Sequence, residues 1–155
     1  MDKLTPQRRS ENMRRIKSKN STPELALRTL IFKMGFRYRL HASQLPGKPD
    51  LVFPGRKKAI FLHGCFWHQH GPCPDSRLPK SRQDYWLPKL KRNQERDKDA
   101  QRKLRELGWN SLVIWECEMK DPTKIKKTVQ KFLKEKGPET ECATRRSRNT
   151  CVLGR

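Results

Sequence analysis

Between Phe61 and Cys73 the chain reads FLHGCFWHQHGPC, with three histidines and two cysteines in thirteen residues. A hydrophobic core has no use for so many metal-capable side chains, so the fold around this segment must accommodate a bound cation or a reactive cluster. A further cysteine, Cys117, follows the apolar run LVIW far along the chain. Cys65, Cys73 and Cys117 with one histidine form the four-donor thiolate–imidazole set that Zn²⁺ prefers. Such a site would staple the loop to the end of a distant strand. His68 and His70 both stand at ligand spacing, and spacing leaves the choice between them open. A closed site takes one of them, so His63 and one neighbour need another task.

The remaining pattern is that of an α/β chain. STPE reads as a helix start, with Ser21 as cap, Pro23 in the first turn and Glu24 completing a capping box. Leu27, Leu30, Ile31 and Met34 follow at helical spacing, and Gly35 ends the helix. FRYRL alternates as a strand does, LPGKP is a turn that delivers Asp50 to the strand DLVF, and KKAIFLH is the next strand. Three successive strands predict an antiparallel meander packed on that helix. Ser81 to Leu107 reads as helix, broken or kinked near Pro88, with Trp86, Leu87, Leu90, Ala100, Leu104 and Leu107 as its buried stripe. WNSLVIW is a strand reached by a crossover. DPTKIKKTVQKFLKEKG closes the domain as a helix capped by Asp121, with Ile125, Val129, Phe132 and Leu133 inward.

Charge narrows the function. Lysine and arginine number 37 against 16 acidic residues, a formal charge of +21, which calls for an anionic partner, nucleic acid first. No apolar run approaches the roughly 20 residues of a spanning helix, and the start lacks the apolar stretch of a secretory signal, so no membrane partner is expected. Five cysteines, an odd number, fit reduced thiols in a cytoplasm better than a disulfide framework. Asp50 opens one strand and His63 ends the next, so a hairpin brings both to one edge, with Glu24 on the helix packed there. Two carboxylates and two imidazoles on a basic domain suit phosphodiester cleavage: carboxylate oxygen binds Mg²⁺, and imidazole takes a proton near neutral pH.

The segments SENMRRI, TPE, LPGKPDLVF, FLHGCFWHQH, YWLPKLKRNQERD, ELGW and VIWEC occur in order from about Ser10 to Cys117. In them the chain resembles the very short patch repair (Vsr) endonucleases, which nick DNA at T:G mismatches left by deamination of 5-methylcytosine. The resemblance implies a restriction-endonuclease-like core, a central mixed β-sheet flanked by helices, with a structural zinc site. It implies Mg²⁺ on Asp50 and on the main-chain carbonyl of Leu62, which stands where threonine is usual. Glu24 would reach that metal through water, His68 would take the proton of the attacking water, and His63 would assist at the phosphate. Zinc would be held by Cys65, His70, Cys73 and Cys117. Phe66, Trp67 and Trp86 would wedge between base pairs at the mismatch, with Met13, Arg14, Asn93 and Arg96 among the DNA contacts.

The expected organisation is a basic arm over residues 1–20, an endonuclease domain over 21–137 and a disordered basic tail over 138–155. The expected enzyme is a monomer, because one cut needs one active site. It would nick 5′ of the mismatched thymine in double-stranded DNA, in the bacterial cytoplasm with the nucleoid, and mismatch-repair proteins are further candidate partners. Two other functions share these residues: a restriction-type nuclease cutting both strands of matched DNA, and a non-catalytic zinc module that only binds DNA.

Overall fold

The computed structural model describes residues 5–15 and 19–135. In chain order these form helices α1 (Pro6–Arg15) and α2 (Thr22–Lys33), strands β1 (Arg39–Leu40), β2 (Leu51–Phe53) and β3 (Lys58–His63), and the short helix α3 (Cys65–His68). The long helix α4 (Gln83–Glu106), strand β4 (Asn110–Trp115) and helix α5 (Pro122–Lys134) follow. The sheet order is β1-β2-β3-β4. β1, β2 and β3 form the expected antiparallel meander, with Leu51 opposite Ile60 and Phe53 opposite Lys58. β4 pairs parallel to β3 over six positions, from Lys58 with Asn110 to His63 with Trp115. A parallel neighbour cannot be reached by a hairpin, and the 24 residues of α4 supply the crossover.

Side chains alternate across the sheet, so each face has its own core. Leu51, Phe53, Ile60 and Ile114 meet Leu27 and Ile31 of α2 and Ile125, Val129 and Leu133 of α5. On the other face Val52 and Ala59 pack with Ala42, Leu45 and Trp109. Phe61 and Ala100 meet there under the 46–49 turn, where Gly47 adopts φ +75°. A Cβ on Gly47 would lie 2.6 Å from that of Ala100 and 3.2 Å from the Phe61 ring, so only glycine lets the turn sit this close.

Several local readings are revised. Ser21 stands at the N-cap of α2, but its side chain makes no cap bond, and Glu24 does not close a capping box. The Glu24 carboxylate reaches one residue further back, to the amide of Asn20. Of FRYRL only Arg39 and Leu40 are strand, because Phe36 and Tyr38 turn onto the α2–α5 core instead. α4 runs through Pro88 unbroken, since a proline in the second turn removes only the bond to the Asp84 carbonyl. Leu87 and Leu107 are exposed, and the buried stripe of α4 is Leu90, Ala100 and Leu104. Gly35 ends α2 with φ +88°, and Asp121 caps α5 by accepting from the Lys124 amide at 3.1 Å.

Lys58 is buried at the start of β3, and its Nζ donates to the carbonyls of Phe132 and Glu135, while Arg56 Nη1 donates to Leu133 O at 3.1 Å. The two cations satisfy the open carbonyls at the end of α5 and complement its dipole. Burial pushes the Lys58 ammonium below its ordinary range. The tail over 138–155, with Cys142 and Cys151, lies outside the described residues, as does Ile16 of the N-terminal segment. Among the described residues no helix is long and apolar enough to cross a membrane.

Candidate active site and cysteine–histidine cluster

Antiparallel pairing sets the beginning of β2 beside the end of β3, and this places Asp50. Its Oδ2 accepts from the Leu62 amide at 2.7 Å, and its own amide donates to Ile60 O at 3.1 Å. Burial raises the Asp50 pKa, the Leu62 amide opposes that, and neighbouring Glu24 adds to the rise. Such a carboxylate gains from a cation beside it. Glu24, His41 and Asp50 carry donor atoms within 4.8 Å of one another, a set rich in oxygen that fits a hard divalent cation such as Mg²⁺.

Glu24 is 3% exposed, and both its oxygens are engaged. Oε2 accepts from the Asn20 amide at 2.8 Å, and Oε1 pairs with the Arg28 guanidinium one helical turn on. Arg28 also donates Nη1 to Asn20 Oδ1 at 2.9 Å, and its Nη2 lies 2.9 Å from His41 Nε2. His41 Nε2 also lies 3.3 Å from Glu24 Oε1, so this nitrogen sits between a cation and a carboxylate. Arg28 and His41 were not singled out from the sequence. Arg28 reads there as one more cation on a helix, and His41 as a loop residue. The one available signal was their spacing from Glu24 and Asp50.

His63 and His68, expected at one edge of the domain, come together there. The His63 ring, at the end of β3, stacks on that of His68 at 3.9 Å with an interplanar angle of 10°. Burial, with the neighbouring His68 second, pushes His63 down to about 4, so it is neutral at physiological pH. His68 Nδ1 lies 2.5 Å from Asp97 Oδ2 on α4. That hydrogen bond fixes the tautomer and leaves Nε2 to accept a proton. Asp97 belongs to the NQERD segment, but it reads as part of a solvated, charged helix face. Asp50, Leu62, His63, His68, Asp97 and Lys48 line one cavity of about 230 Å³.

The structure also brings Cys65, His70, Cys73 and Cys117 together, with one donor atom from each within 4.8 Å of the others. His70 Nδ1 faces Cys117 Sγ at 3.4 Å and Cys65 Sγ at 3.9 Å, and its ring stacks on Trp115 at 4.3 Å. His68, turned to Asp97, is the histidine left out of this cluster. Burial pushes the Cys65 thiol up to about 12 and raises Cys117 as well, so these sulfurs keep their protons until a cation replaces them. Three thiols and one imidazole at this separation match the donor set of a closed zinc site.

Beside the cavity, Phe66, Trp67 and Trp86 form a half-buried cluster with centroid separations of 5.1 to 6.0 Å. Lys89 lies over Trp67 and Trp86, both at 5.5 Å. Asn93 ties the two helices by donating to Trp67 O at 3.2 Å, and exposed Arg96 donates to Asn93 Oδ1 at 2.6 Å. Met13 and Arg14 are exposed on α1.

Comparison with known proteins shows the family of the chain. A family model described as DNA mismatch endonuclease Vsr matches residues 1–73. The DNA mismatch endonuclease Vsr of Escherichia coli (strain K12) is 40% identical over 124 residues, covering 80% of this chain and 77% of that protein. The type II nicking enzyme V.XorIIP of Xanthomonas oryzae pv. oryzae is 49% identical over 120 residues, covering 77% and 88%. The type II nicking enzyme V.NmeAIP of Neisseria meningitidis serogroup A is 38% identical over 134 residues, covering 86% and 95%. With that similarity spanning the meander, the histidine pair and the cysteine cluster, this chain belongs to the Vsr family and is a DNA endonuclease that cuts phosphodiester bonds.

Proposed function

We propose that the protein is a Mg²⁺-dependent mismatch endonuclease that nicks one strand 5′ of the thymine in a T:G pair. The observation that carries this reading is the His68–Asp97 contact at 2.5 Å, opening on the same cavity as Asp50. A divalent cation on Asp50, the Leu62 carbonyl and the Glu24 side would neutralise phosphate charge and acidify a water. His68 accepts the proton of the attacking water at Nε2. Asp97 then faces the imidazolium and stabilises it. His63 stays neutral, supports the His68 ring by stacking and assists at the phosphate as a hydrogen-bonding group.

Zinc at Cys65, His70, Cys73 and Cys117 is a structural part of the proposal. It would fix the loop that carries both His68 and the aromatic pair. Phe66, Trp67 and Trp86 supply the mismatch selectivity, because apolar side chains that unstack a base step cost least where pairing is already weak. Support comes from their half-exposed position beside the cavity, and from the names of the relatives, one a mismatch endonuclease and two nicking enzymes. The same proposal includes a monomer acting on double-stranded DNA in the bacterial cytoplasm, associated with the nucleoid.

The test compares T:G with T:A duplexes, with and without Mg²⁺. Cutting of one strand of the T:G duplex alone, and only with Mg²⁺, is the expected result. Double-strand cutting of matched DNA would make it a restriction-type nuclease, and binding without any cut would make it a zinc module.

A further inference from the structure

We propose that Lys48 is a catalytic residue whose ammonium holds a non-bridging oxygen of the phosphate being cut. The inference rests on the nuclease reading above and concerns a residue of the same cavity. That cavity is lined by two carboxylates, Asp50 and Asp97, and two imidazoles, His63 and His68. Lys48 is the one permanent cation among its lining residues. The strand that carries His63 supplies none, because β3 approaches the site as Phe61, Leu62 and His63. Arg28, near Asp50, is already committed to Glu24, Asn20 and His41.

Hydrolysis makes the need for a cation concrete. The water oxygen bonds to phosphorus as the bond to the leaving sugar oxygen breaks. The water's proton passes to His68, and the leaving oxygen takes a proton from solvent. Negative charge grows on the phosphoryl oxygens along the way, and a fixed cation stabilises it more than it does the starting diester.

Position adds a second argument. Lys48 also lines the adjoining groove, with Trp67, His68, Asn93 and Arg96. It therefore stands at the seam between the chemistry and the aromatic surface, where a DNA backbone reaching both must pass. Its backbone is the third argument. Lys48 adopts φ +51° between Gly47 at φ +75° and fully buried Pro49, with its amide donating to Leu45 O at 3.1 Å. A left-handed conformation disfavours any side chain, and a following proline pushes the residue towards extended backbone. Glycine would relieve the strain, yet the site holds an exposed lysine without an ion-pair partner among the described residues. Strain of this kind, held by its surroundings, is characteristic of functional positions.

The test uses full-length wild type, Lys48→Ala, Lys48→Gly and Lys48→Arg in single-turnover nicking of a T:G duplex. Binding is followed against salt with Ca²⁺ in place of Mg²⁺, and each protein's melting temperature is recorded. Lys48→Ala and Lys48→Gly should cut roughly a hundredfold more slowly, the scale of one lost transition-state donor. Lys48→Arg should retain most of the rate. The log–log salt slope should fall by about one phosphate contact in the alanine variant. Lys48→Gly should melt no lower than wild type, so a slower cut there cannot come from a damaged fold. Wild-type cutting by the alanine and glycine variants, an unchanged salt slope, or a rate loss that follows a fall in melting temperature would overturn the role. A wild type that nicks no duplex would instead bring down the nuclease reading itself, and Lys48's role with it.

Discussion

Gly47→Ala is the substitution whose cost can be worked most directly from the fold. The residue sits at φ +75°, where a side chain costs about 1–2 kcal/mol. The new Cβ would also lie 2.6 Å from Ala100 Cβ, against a carbon–carbon contact distance of about 3.5–4.0 Å. Turn and helix must separate by about 1 Å, and overpacking on that scale costs about 1–3 kcal/mol. The expected loss is therefore about 2–5 kcal/mol, read by urea denaturation. The turn carries Lys48 and leads directly into Asp50, so nicking should fall about a hundredfold in protein that remains folded. Ala100→Gly separates the two contributions. Alone it should cost about 1 kcal/mol, as glycine does within a helix. Combined with Gly47→Ala it removes the steric part and leaves the conformational part, so the double variant should be about 1–3 kcal/mol more stable than additivity predicts. Additivity within about 0.5 kcal/mol would show that the turn moves freely and that contact with α4 does not position the site.

Asp97→Asn should lower kcat by on the order of a hundredfold with KM, zinc content and melting temperature near wild type, because it orients and stabilises the His68 imidazolium without touching substrate; a wild-type kcat would leave His68 self-sufficient. Cys117→Ser should reduce bound zinc from about one ion per chain and lower stability, as measured by metal analysis and thermal melting. A wild type purified without zinc would refute that assignment. Phe66→Ala and Trp86→Ala should cut T:G duplexes more slowly and narrow the preference over T:A, and an undiminished preference in both would move selectivity elsewhere. Binding to any duplex should weaken steeply with salt, and a flat dependence would contradict a basic footprint spread over the domain.

Much of this arrangement was legible in the sequence. The meander, the crossover and the cap at Asp121 follow from alternation, helix spacing and proline placement, which are local properties. The donor set of the cysteine cluster was legible by residue type, but His68 and His70 are equivalent by spacing. The resemblance implied their division, and the fold turns His68 towards Asp97 and His70 towards Cys117. Asp97 was lost among the charges of α4, since nothing local marks one acid on a polar helix as the partner of a residue 29 positions away. Arg28 was missed although its partner Glu24 lies one helical turn away, and His41 because its loop gives no periodic signal. Leu87 and Leu107 were wrongly assigned to the core because they share the residue type of the buried stripe, yet both are exposed.

The parallel pairing of β3 with β4 has a consequence for the order in which the parts of the site are made. His63 ends one strand, Trp115 ends its partner, and their rings meet edge to face at 5.4 Å. A ribosome releases the chain from its N-terminus, so Asp50, His63 and His68 emerge well before residue 115 does. Until then β3 has one unpaired edge, and the crossover helix bearing Asp97 has no strand to return to. Strand order thus ties the last pairing beside the site, His63 with Trp115, to the latest strand of the sheet.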